Sequence, residues 1–171
     1  MSYYFAIIGT KDNPLFEHEF GTSRQGGDGV ARFREDARHM NQFIVHSSLD
    51  IVEEVQWGGG QMYLKHVDSF RNSHVFSFIT GGNVKFMLLV APDTHNASRA
   101  SSASTARSST YGQVSTYNPT APSTEEPIRN FFIEVYDAWL KTIMSPFYQV
   151  NMPVKSPVFR GRVAGAAKKY L

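Results

Sequence analysis

An α/β domain of the α+β type is predicted for this chain. It has one five-stranded, mostly antiparallel sheet, covered by helices on both faces, in the order strand, strand, helix, three strands, helix, helix. Three observations predict it. Five short segments rich in β-branched and aromatic residues are separated by Gly, Asn, Asp and Pro turn chemistry. Three longer segments repeat apolar residues every three or four positions. Thirteen phenylalanines and eight tyrosines favour a sheet-containing core over a pure helical bundle.

Tyr3 to Thr10 is a near-continuous apolar run, which marks a central strand buried on both faces. Lys11-Asp12-Asn13-Pro14 is a turn, because Asp and Asn bond local backbone and Pro fixes φ. Leu15 to Phe20 alternates apolar and polar and returns beside the first strand. Gly21 to Gly29 reads as a loop. A helix is predicted from about Phe33 to Glu54, stopped by Gly58-Gly59-Gly60. Its expected core line is Ala37, Met40, Ile44, Ser47 and Ile51.

Gln61 to Asp68 alternates, with Met62, Leu64 and His66 expected on one face and Tyr63, Lys65 and Val67 on the other. Val75 to Thr80 and Val84 to Val90 flank Gly81-Gly82-Asn83, a hairpin turn that tolerates positive φ. The second of these strands is nearly all apolar and is expected near the centre.

Asp93 to Thr124 has another character. Ser and Thr supply 14 of its 32 residues, and Leu, Ile, Phe and Met are missing, so it reads as a disordered insertion in a single domain spanning 1–171. Arg99-Ala100-Ser101-Ser102 and Arg107-Ser108-Ser109 suit a basic-directed kinase, or sit in an inert spacer. Helical pattern resumes at Glu125, with Pro127 in the first turn and Ile128, Phe131, Phe132, Val135, Trp139, Leu140 and Ile143 as the apolar band. Ser145-Pro146 ends it. Ser156-Pro157 is an N-cap followed by Pro at N1, so a last helix starts there. Phe159, Val163, Ala167 and Tyr170 give its buried line, and Arg160, Arg162, Lys168 and Lys169 its wet one.

Composition narrows function. A net charge of +2, with no Lys/Arg run beyond two residues, gives nucleic-acid binding no support. The chain has no cysteine, which excludes disulfides, thiolate zinc sites and cysteine nucleophiles. The first residues lack the basic lead of a signal peptide, and no apolar run approaches membrane-span length, so a cytoplasmic location is expected. Neither G-x-S-x-G nor a phosphate-binding G-K-[ST] occurs, and the glycine clusters at 26–29 and 58–60 read as loop hinges. Phe132, Tyr136 and Trp139 read as core rather than as a lipid pocket. No cofactor and no enzyme activity are expected.

The residues that ask for a partner lie on the outer line of the first helix. His39, Phe43, His46, Asp50 and Glu53 or Glu54 recur at spacings of three and four. A ring and a carboxylate side by side can anchor another protein. From spacing alone the same line also reads as an ordinary solvated face. His46 and Asp50 have metal-ligand spacing, but two ligands on a stripe leave a site incomplete.

Several stretches resemble the sedlin family of longin-fold trafficking proteins: DNPLFEHEF (12–20), HMNQFIVHSSLD (39–50), MYLKHVDSF (62–70), IRNFFIEVYDAW (128–139) and MSPFYQVNMPVKSPVF (144–159). The resemblance spans nearly the whole chain outside 21–32 and 93–124. It implies a longin fold and a non-catalytic scaffold subunit of TRAPP, the vesicle-tethering complex that activates Rab/Ypt-type small GTPases between endoplasmic reticulum and Golgi. The implied partners are the other TRAPP subunits, with the GTPase and the membrane reached indirectly. It also implies that Asp50 belongs to a partner-facing surface, with His46, Phe43 and His39 beside it. The alternative is a free longin module that binds a SNARE or small GTPase directly.

Overall fold

The computed structural model describes residues 1–23, 26–33, 35–92 and 118–171, the side chains of Asp36 and Ala37 excepted. Five strands form one sheet: β1 (Ser2–Ile8), β2 (Pro14–Gly21), β3 (Tyr63–Phe70), β4 (Ser73–Ile79) and β5 (Lys85–Ala91). Their order is β2-β1-β5-β4-β3, and all four pairings are antiparallel. The helices are α1 (Glu35–Arg38), α2 (Met40–Ser47), α3 (Leu49–Gln56), α4 (Pro122–Ile143) and α5 (Pro157–Tyr170). With α1 to α3 taken as one bent helical segment, this is the ββαβββαα order of the longin fold.

The apolar runs lie where strands are covered on both sides. β1 is buried throughout and pairs with β2 and β5, so it is interior as its sequence predicts. Alternate residues feed two cores. Tyr3, Phe5 and Ile7 join Phe86, Leu88, Val90, Phe131, Val135 and Trp139 beneath α4 and α5. Tyr4, Ala6 and Ile8 join Met87, Leu89, Ile44, Val45 and Val52 beneath α2 and α3. The first core is aromatic. Phe5 meets Phe131 edge-on at 5.3 Å, Phe16 meets Phe159 at 5.0 Å, and Phe86 meets Trp139 at 5.9 Å. Phe132 and Trp139 are buried in it and Tyr136 packs against it, as the core reading requires.

Four boundaries or faces differ from expectation. The helix predicted from Phe33 to Glu54 is three segments, broken at His39 and Ser48, and it runs on to Gln56. Its buried line is Asn41, Ile44, Val45, Leu49 and Val52 together with Ser48, while Ser47 is exposed and Met40 and Ile51 are half-buried. The predicted member Ala37 lies outside the described side chains. Two polar residues face inward here, and hydrophobic periodicity cannot see them.

β3 does not alternate. Bulges between Tyr63 and Lys65 and between His66 and Asp68 shift its register, and Lys65 has a φ of 65°. Tyr63 and His66 therefore face the first core, while Leu64, Val67 and Phe70 face the second.

α4 begins at Pro122, three residues before the expected start. Pro122, not Pro127, takes the first helical position, and Pro127 sits inside the helix. Of the segment read as a disordered insertion, 93–117 lie outside the described residues, and so do both of its kinase-like motifs.

Turn chemistry is as expected at the β4–β5 hairpin, where Asn83 takes φ 57° and the Thr80 amide donates to the Val84 carbonyl at 2.9 Å. Gly21 has a different reason to be glycine. A Cβ there would stand 2.1 Å from the Val30 carbonyl oxygen, where the loop folds back over β2.

Candidate protein-docking surface

α2 and α3 lie on one face of the sheet, joined by a bend at Ser48. The Ser48 hydroxyl is buried and lies 2.9 Å from both the Ile44 carbonyl and an Asp68 carboxylate oxygen, which share its single proton. Bonding back to the preceding turn bends the helix, and bonding across to β3 ties it to the sheet. The side chains projecting outward are therefore held from below.

Three of the four predicted residues are exposed and one is half-buried. His39 is exposed at the N-cap of α2, Phe43 is 64% exposed, His46 is half-buried in the last turn of α2, and Asp50 is exposed in the first turn of α3. Asp50 makes no ion pair with the described residues, and its carboxylate sits where the α3 dipole is positive. Exposure is compatible with both readings of this stripe, the partner surface and the solvated face.

Two details change the line. Glu53 is diverted: its carboxylate lies 3.4 Å from the Lys85 ammonium, which is also 3.0 Å from Asp12. Lys85 is only 1% exposed, so the two carboxylates compensate a buried charge at the start of β5. Glu54 is then the acidic residue of the surface. The second detail is Trp57, the C-cap of α3, which is 85% exposed. It continues the same spacing seven positions beyond Asp50. Sequence reasoning passed over it, although its place on the line was readable.

Other clusters are occupied by their own contacts. His66 Nε2 lies 2.9 Å from Ser69 Oγ, which lies 3.1 Å from His74 Nδ1, and the two ring nitrogens are 3.3 Å apart. Burial holds both rings below the usual imidazole pKa; Asp68 partly offsets this for His66, and the neighbouring His66 ring adds to it for His74. His18 is lowered by burial and by Arg160, against an opposing pull from Glu19. A groove of about 640 Å³ beside β2 carries Tyr4, Glu17, Glu19, Arg38 and Arg160. Tyr4 donates to Glu17, Arg38 pairs with Glu19 at 2.7 Å, and the Arg160 guanidinium rests 5.6 Å from the Phe16 ring centre. On α5, Lys169 pairs with Glu134 at 2.9 Å. Among the described residues no three His, Cys, Asp or Glu side chains gather to hold a metal ion, and no helix is long and apolar enough to cross a membrane.

The comparison with known proteins is specific. The sequence profile described as Sedlin matches residues 7–169. The "Transport protein particle 20 kDa subunit" of Schizosaccharomyces pombe is 37% identical over 171 residues, covering all of both chains. The "Probable trafficking protein particle complex subunit 2" of Drosophila melanogaster is 34% identical, covering 99% of this chain and 97% of its own. The "Trafficking protein particle complex subunit 20" of Saccharomyces cerevisiae is 32% identical, covering 100% and 99%. With the longin topology and end-to-end matches of this kind, the chain belongs to the sedlin family.

Proposed function

We propose that this chain is a non-catalytic scaffold subunit of a trafficking-protein-particle complex, the TRAPP tether, and that it acts through protein–protein surfaces as one longin-like domain. The observation that carries the reading is the end-to-end identity to subunits of that complex in fission yeast, fly and budding yeast. The docking residues are Asp50, His46, Phe43 and His39, with Trp57 added. The exposure of an aromatic pair around a carboxylate, on helices bolted to the sheet through Ser48, supports this choice.

The contribution to Rab/Ypt activation is indirect. By ordering neighbouring subunits, the chain raises the effective concentration of the exchange machinery and its GTPase at one membrane. Its place is then peripheral to endoplasmic reticulum and Golgi membranes, held there by the complex.

The test is affinity purification of the tagged chain, wild type against Asp50→Arg. The wild type is expected to recover the other subunits of the complex, and the variant to recover fewer at equal expression and equal melting temperature. Undiminished recovery by Asp50→Arg removes the stripe. Elution of the native chain as a small species, without those subunits, removes the scaffold reading itself.

A further inference from the structure

The other face of the molecule carries a feature that the proposed function leaves unused. Between the C-terminal end of α4 and the N-terminal end of α5, residues 144–156 frame a groove of about 370 Å³. Its floor is apolar: Ala138, Val154 and Phe159 are buried there, and Tyr148 packs edge-on against Trp139 at 5.8 Å. Its lip is also apolar but lies in water. Phe147 is 87% exposed, and Met152 and Val158, which line the same groove, are exposed as well. Water contact on so many large apolar side chains in one place marks an interaction surface.

The groove is preformed. Asn151, with a φ of 63°, accepts from the Thr10 amide at 2.9 Å through its side chain and from the Asn13 side-chain amide at 3.2 Å through its carbonyl. The Val154 amide donates to the Leu15 carbonyl at 2.8 Å. The connector is thus tied to the β1–β2 hairpin at two points, and little ordering remains to be done on binding.

Charge selects the occupant. Lys141, Lys155 and Arg162 line the groove, and among the described residues no carboxylate does. Lys141 is partnered by Asp137, but Lys155 and Arg162 make no ion pair with the described residues. The amino end of α5 opens on the same rim and adds partial positive charge. A bilayer would satisfy the cations, yet it has no projecting side chain to fill a concavity. A peptide has one.

We propose that this groove docks an acidic amphipathic segment of another protein, with an aromatic or aliphatic anchor in the cavity against Phe147 and Tyr148, and carboxylates meeting Lys155 and Arg162. It lies on the α4–α5 face, across the sheet from α2 and α3. The inference stands whether or not the α2–α3 stripe is the partner surface.

The experiment selects a phage-displayed library of random dodecapeptides on the immobilised full chain. The enriched peptides are then titrated by fluorescence anisotropy against wild type, Phe147→Ser, the double variant Lys155→Glu/Arg162→Glu, and Phe43→Ala. Both Phe147 and the two cations are exposed, so these variants fold. Enriched peptides are expected to be acidic around an apolar anchor, and to bind about tenfold more weakly to Phe147→Ser and to the charge-reversed variant, with Phe43→Ala unchanged. Binding also weakens as salt rises. The proposal is overturned if no peptide is enriched, if the enriched peptides have no acidic bias, or if they ignore the groove variants. Phe147-dependent flotation with phosphatidylserine vesicles, or Phe147-dependent self-association, in the absence of peptide binding overturns it equally.

Discussion

Phe43→Ala separates docking from folding most cleanly. Phe43 is 64% exposed and belongs to neither core. An aromatic residue offers about 200 Å², so about 130 Å² of Phe43 is available to a partner. At about 25 cal/mol per Å² that surface contributes at most about 3 kcal/mol if fully covered. Part of the gain is offset by ordering and desolvation at the interface, and about 1.5–2.5 kcal/mol remains. The expected loss of affinity is therefore about 10- to 70-fold. The assay titrates the purified chain into a reconstituted complex lacking this subunit, read by calorimetry, beside a thermal melt of the chain alone. A surface change of this kind keeps Tm within about 2 °C. Equal affinity for wild type and variant would refute the placement of Phe43 at the interface. A fall in affinity that tracks a large drop in Tm would refute the separation of surface from core.

Three further outcomes follow from the packing. The buried Lys85 requires its carboxylates, so Asp12→Asn with Glu53→Gln is expected to cost about 2–3 kcal/mol in urea unfolding, whereas Lys85→Met with both carboxylates neutralised recovers most of it. Ser48→Ala removes the bond to Asp68 and is expected to cost about 1 kcal/mol, a fall in Tm of about 3 °C; unchanged stability would mean that the α2–α3 bend holds itself. His18, His66 and His74 have pKa values held below 6.5, so the unfolded chain binds more protons than the folded one as pH falls through 6.5. Their stability contribution is full above that value and is lost toward lower pH. Tm should decline between about pH 7 and 5, less steeply in His66→Gln/His74→Gln, and an equal slope in that variant would assign the decline to other groups.

Much of the fold was legible because it rests on local patterns. The apolar runs at Tyr3 to Ile8 and Phe86 to Val90 are interior strands, the Gly-Gly-Asn turn is a hairpin, and Ser156-Pro157 caps α5 with its hydroxyl accepting from the Phe159 amide at 3.4 Å. The misreadings share one cause. At β3 the period-2 pattern failed because two bulges changed which residues face which core. In the first helix, the expected core line failed because Asn41 and Ser48 are buried polar residues that hydropathy does not mark, and Ser48 is held inward by its bond to Asp68 of β3. The start of α4 was misplaced because Pro122 and Pro127 are equally plausible first-turn prolines when read locally.

The sequence by itself determined the family, the order of the elements and the exposed line His39, Phe43, His46 and Asp50, since helical spacing and long shared stretches are properties of the chain alone. Only the tertiary structure decided that Glu53 turns away from that line to Lys85, and that Phe147 and Lys155 line one groove. Those facts depend on residues 32 and more positions apart, or on the angle at which two helices and a connector are packed. No local rule of propensity or period encodes such distances; they arise when two cores close on opposite sides of one sheet.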